Sequence, residues 1–96
     1  MLTRTEIENS IKILLKRYNA EYALLFGSYA RGEQTADSDI DVLVFGGETF
    51  KKTNIFAFAE ELRQMTGKNV DVFEICEVDQ STQFYSNVIE EGVKIA

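Results

Sequence analysis

The sequence predicts an α/β or α+β domain. Stretches with helical periodicity alternate with short β-rich apolar runs, and glycines punctuate the junctions between them. No repeat, proline-rich linker or low-complexity tract interrupts the alternation, so residues 1–96 are expected to form a single small domain.

Residues 3–18 place Ile7, Ile11, Leu14, Leu15 and Tyr18 on one helical stripe, and Thr3 with Glu6 has the spacing of a capping box. EYALLF at 21–26 reads as a buried strand stopped by Gly27, and IDVLVF at 40–45 as a second, stopped by Gly46 and Gly47. Between them, Ser28 to Arg31 allow one helical turn before a polar loop. Residues 54–66 put Ile55, Phe58, Ala59, Leu62 and Met65 on one face of a helix, with Asn54 as its cap and Gly67 as its stop. NVDVFEI at 69–75 alternates as a strand, residues 80–91 read as a helix ended by Gly92, and VKIA is expected as a short edge strand. The pattern alone fixes neither strand order nor every strand direction.

Composition narrows the chemistry. With no histidine and one cysteine, neither an internal disulfide, a zinc site nor histidine-based proton transfer is available. The formal net charge of -6 argues against direct nucleic-acid binding through phosphate neutralisation but suits hard cations. IKILL at 11–15 is too short to span a bilayer and the N-terminus lacks the apolar core of a signal peptide, so a cytoplasmic protein without membrane association is expected.

The informative stretch is LLFGSYARGEQTADSDIDVLVF, residues 24–45. Alternation in a strand puts Asp39, Asp41 and Leu43 on one face, with Ile40, Val42 and Val44 on the other, which is expected to be the core face. Two like charges so placed repel each other unless donors or a cation compensate, and a divalent ion is the simplest compensation. Magnesium takes carboxylate oxygens and completes its shell with water and substrate phosphates. Asp71 shares a face with Phe73 and Ile75, so a third carboxylate joins the pair if the two strands are neighbours. Gly27-Ser28, at a strand end and a helix start, offers backbone N–H groups and a hydroxyl to a phosphate, although neither a Walker loop nor a dinucleotide fingerprint is present.

Gly27-Ser28, ten residues, then Asp39-x-Asp41 resembles the signature of the polymerase-beta-like nucleotidyltransferase superfamily, and GSYARGEQTADSDIDVLV looks most like its minimal, MNT-type members. Ordinary residue frequencies put a chance match to those four positions at about one in a thousand, which favours a site over coincidence. The resemblance covers nearly the whole chain and implies a small mixed sheet flanked by helices. It further implies that Asp39, Asp41 and Asp71 hold two magnesium ions, that Gly27 and Ser28 hold the triphosphate of ATP, and that Asp71 helps activate an attacking hydroxyl. Short proteins of this type resemble the antitoxin half of HEPN/MNT toxin–antitoxin pairs. A hetero-oligomer with a HEPN toxin is therefore implied, with AMP passing to a toxin tyrosine.

Plainer readings stand beside these. Asp39 and Asp41 also fit a solvated edge or turn, and Arg31 fits phosphate contact or a surface ion pair with Glu33 or Asp37. Lys51, Lys52 and Lys68 are expected to be solvated, Cys76 to be a buried small hydrophobe, and most of Phe50, Phe56, Phe58, Phe84 and Tyr85 to be core, with one or two facing a partner. Two other functions remain open: an antitoxin that acts by binding alone, and transfer to a small molecule with help from a separate helical subunit.

Overall fold

The computed structural model describes residues 3–95. Helix α1, Arg4–Arg17, starts where the Thr3 hydroxyl accepts the Glu6 N–H at 3.1 Å, and it buries Ile7, Ile11, Leu14 and Leu15. Strand β1, Tyr22–Phe26, leads into the single turn α2, Ser28–Arg31, and then β2, Ile40–Phe45. Helix α3, Asn54–Thr66, connects β2 to β3, Val70–Glu74; a 3-10 turn, Ile75–Glu77, precedes α4, Gln83–Glu91, and β4, Val93–Ile95.

The four strands form one mixed sheet in the order β3-β2-β1-β4. β1 is antiparallel to β2 and β4, whereas β2 and β3 run parallel, as a strand–helix–strand crossover through α3 requires. The anticipated edge strand is β4, paired with β1. Helices α1 and α3 cover one face, where Ile7, Ile11, Leu14, Ala23, Leu25, Ile40, Val42, Val44, Phe58 and Leu62 make the main core.

Several expectations need correction. The opposite face is not solely the polar one: Leu43 is fully buried there with Leu24, Phe26 and Val88, because α4 folds back across it. Asn54 does not cap α3. Thr53 precedes the helix in helical conformation with no side-chain cap, and the Asn54 and Ile55 N–H groups donate to the Lys51 and Lys52 carbonyls at 2.8 and 3.1 Å. Met65 is exposed, since the 3.6-residue repeat carries it about 80° round from Ile55 to the margin of the stripe.

β3 also ends one residue early. Glu74, only 3% exposed, accepts the Cys76 N–H at 2.6 Å, and Glu77 accepts the Glu74 N–H at 3.2 Å, so this reciprocal cap converts Ile75 to Glu77 into a turn. Cys76 is therefore exposed rather than buried. Phe50 and Phe58 are core and Tyr85 is half-buried, but Phe56 and Phe84 are exposed. Among the described residues, no helix is long and apolar enough to cross a membrane.

Candidate active site

The end of β1 fixes the site. Gly27 adopts φ 74° and ψ −151°, a backbone state that L-residues with side chains disfavour, and its carbonyl accepts the Ala30 and Arg31 N–H groups at 3.1 and 3.2 Å to start α2. A side chain at this position is disfavoured twice over, by the backbone state and because a Cβ on Gly27 would overlap Asp41 Oδ2 and force that carboxylate to turn. The turn and the carboxylate are thus in direct apposition. Ser28 follows at the first helical position, half-buried, and among the described residues no side chain caps this turn.

Asp41 stands between two strands. Its partner on β1 is Phe26, the residue before Gly27, and its partner on β3 is Asp71. Parallel pairing in this register puts Asp41 and Asp71 side by side on one face, so the adjacency left open by the sequence is present. Asp39 lies just before β2 and is exposed. Among the described residues no three acidic or cysteine side chains converge into a ready-made metal cage. Asp41 and Asp71 are register partners, and the Asp39 carboxylate also acts on Asp41.

The electrostatics fit a cation. Burial pushes the Asp41 carboxyl up from 3.8 to about 6, and the neighbouring Asp71 and Asp39 carboxylates push in the same direction, with Arg31 opposing them. A group so crowded by negative charge gains from a divalent ion. An incomplete oxygen set suits magnesium, which keeps waters and takes substrate oxygens into its shell. Asp39, Asp41 and Asp71 would hold that ion.

Arg31 lies within electrostatic reach of Asp41, but its guanidinium is engaged elsewhere. Nε donates to Glu33 at 2.7 Å and a terminal nitrogen donates to Glu91 at 3.2 Å, joining α2 to the end of α4. The Glu33 pair was one of the two anticipated; Asp37 takes no part in these bonds, and Glu91 was not anticipated. Its carboxylate partners hold the Arg31 proton more tightly.

Lys68, set aside on the sequence, is half-buried and donates to the Ala36 carbonyl at 2.7 Å, with its ammonium 5.9 Å from the Tyr29 ring centroid. With Asp39 and Asn69 it lines a cavity of about 210 Å³ next to the carboxylates. Gly67 places it there by ending α3, a signal that was readable. The sequence reading also missed a ring cluster of Phe26, Phe73 and Phe84 on the carboxylate face, although alternation had already put Phe73 on the face of Asp71.

Comparison with known proteins agrees with this layout. Residues 8–96 match the family described as Polymerase beta, Nucleotidyltransferase. The chain is similar to the protein adenylyltransferase MntA of Thermococcus cleftensis, 37% identical over 76 residues that cover 75% of this chain and 78% of that one. It is likewise similar to MJ0435 of Methanocaldococcus jannaschii, assigned as a protein adenylyltransferase, at 42% identity over 67 residues covering 70% and 72% of the two chains. Among solved structures, a toxin–antitoxin with AMP-PNP superimposes with a TM-score of 0.79 at 26% identity, covering 93% of this chain and 72% of that one. A left-handed glycine against an aspartate, a second aspartate across a parallel strand pair and a family match over almost the full length agree, and the chain belongs to the polymerase beta nucleotidyltransferase family.

Proposed function

We propose that this chain is a magnesium-dependent adenylyltransferase that moves AMP from ATP onto a tyrosine hydroxyl of a HEPN toxin, and thereby serves as its antitoxin. The observation that carries the reading is the register pairing of Asp41 with Asp71 beside Gly27, which sets paired carboxylates against a turn suited to phosphate. Support for the biology comes from relatives. One is named a protein adenylyltransferase, and a structural neighbour at 23% identity and a TM-score of 0.71 is a tri-AMPylated Shewanella oneidensis HEPN toxin in complex with its MNT antitoxin.

In this reading Gly27 and Ser28 hold the β- and γ-phosphates through backbone N–H groups and the serine hydroxyl. Asp39, Asp41 and Asp71 would hold the magnesium, which when bound would supply charge stabilisation at the α-phosphate and lower the cost of ionising the nucleophile. The acceptor oxygen attacks the α-phosphorus as the bond to the β-phosphate oxygen breaks, and pyrophosphate leaves with that electron pair. Asp71 orients the acceptor hydroxyl and accepts its proton.

The test is the intact mass of the partner protein that co-purifies with this chain, before and after ATP and magnesium. One or more added adenylyl masses are expected with wild type and none with Asp39→Ala. A tight complex whose masses never change in either case returns the answer to an antitoxin that acts by contact alone.

A further inference from the structure

The sheet face that carries the carboxylates also carries three rings that the chemistry above does not use. Phe26 precedes Gly27 and is the partner of Asp41; Phe73 lies two residues beyond Asp71 on β3; Phe84 comes from the first turn of α4. Phe84 meets Phe26 and Phe73 edge-on, each at a centroid distance of 5.7 Å, and Phe26 and Phe73 are 6.4 Å apart. Phe26 is buried, whereas Phe73 is 36% and Phe84 42% exposed. Two rings thus remain open to solvent beside the carboxylates.

Their position relative to the reaction is fixed by stereochemistry. In-line displacement brings the nucleophile in opposite the leaving group, and the leaving phosphates lie at the Gly27–Ser28 turn on β1. With β2 next to β1 and β3 beyond it, a line from that turn past Asp41 runs toward Asp71 and β3. Phe73 stands on that strand and that face, with Phe84 packed on it. Phe73 therefore flanks the acceptor's end of the line, and Phe84, at equal distance from Phe26 and Phe73, bridges it to the residue before the phosphate turn.

We propose that Phe73 and Phe84 form a shelf for the ring of the acceptor, which selects a phenol, the side chain of tyrosine, over the aliphatic hydroxyls of serine and threonine. This inference rests on the nucleotidyl-transfer reading for the direction of attack. Offset and edge-to-face ring contacts change binding by roughly two- to tenfold each, and an aliphatic alcohol has no ring with which to gain it.

The test uses N-acetyl-L-tyrosinamide and N-acetyl-L-serinamide as probes in saturation-transfer NMR with magnesium present, alongside calorimetry of ATP binding. Wild type is expected to saturate the ring protons of the tyrosine probe and to leave the serine probe unaffected. Phe73→Leu and Phe84→Leu, which keep apolar bulk but remove the ring, should lose at least fivefold of that signal, and Phe73→Tyr should retain it. ATP affinity should stay within twofold in all of them. No ring saturation in wild type overturns the shelf, even if AMP transfer proceeds. A tenfold loss of ATP affinity in the leucine variants also overturns it, because the rings would then hold the nucleotide base. Ring binding by a protein that neither binds ATP nor transfers AMP overturns both readings, because the rings would then have no acceptor to select.

Discussion

Asp41 and Asp71 are direct register partners across the parallel pair of β2 and β3, and the closeness of their carboxyls is a cost that the metal-free protein bears in its folded state. Folding raises the Asp41 carboxyl from 3.8 to about 6. Between those values the folded chain binds more protons than the unfolded one, so the Asp41 contribution to stability is fully present below pH 3.8 and is lost as pH rises through about 6. Asp41→Asn should therefore raise the melting temperature of the chelator-treated protein at pH 7.5, with an advantage that narrows below pH 6 and is gone near pH 4. Because the group is half-exposed, screening limits the gain to about 1 kcal/mol, or roughly 4–8 °C. Thermal melts of both proteins across that range check the sign, and an asparagine variant that melts below wild type at pH 7.5 contradicts it.

Asp71 is exposed and lies two strands from β1, whose end carries the phosphate turn, which separates its role from donor binding. Asp71→Asn should lower AMP transfer by about 10²- to 10⁴-fold while ATP affinity changes little. Single-turnover transfer and calorimetry on the same preparation distinguish these effects. An equal loss in both would place Asp71 in nucleotide binding rather than at the acceptor.

Arg31 makes two exposed ion pairs, with Glu33 and with Glu91 at the end of α4, which solvent and salt screen. Glu91→Gln should lower the melting temperature only slightly and leave Arg31 with a single carboxylate partner. If the guanidinium serves phosphate, ATP binding should tighten in this variant and weaken in Arg31→Ala. Unchanged affinity in both assigns Arg31 to the surface of the fold.

Leu43 and Met65 test where the core ends. Leu43→Ala should cost about 2–5 kcal/mol, since the side chain is fully buried under α4, whereas Met65→Ala should stay within about 0.5 kcal/mol. Chemical denaturation of both variants measures the contrast. A similar loss at the two positions would mean that α4 does not seal the carboxylate face.

The elements were legible because each carries its own local period. Ile7, Ile11 and Leu14 mark α1, and the alternation of Ile40, Val42 and Val44 marks β2 together with the facing of Asp41. The pairing of Asp41 with Asp71 was conditional on strand order, which no local pattern encodes: parallel neighbours are chosen by the packing of α3 against the sheet. The burial of Leu43 was not legible for a similar reason, as it depends on α4, which begins about 40 residues later in the chain. Cys76 was misjudged because Glu74 and Glu77 cap a turn where alternation continues a strand. The glycine and aspartate positions could be read because their chemistry depends on spacing, whereas the ring cluster draws on three separate elements.

The glycine before Ser28 has a consequence for how this sequence can drift. Every amino-acid replacement reached from a glycine codon by one base change adds a Cβ, and any Cβ here would overlap Asp41 Oδ2 on a backbone with φ 74°. No smaller step exists for the gene to take. A lineage that loses this glycine must carry the strain of a side chain at this φ and turn the Asp41 carboxylate from its present position, so one missing methyl group ties the backbone of the turn to the aim of the aspartate.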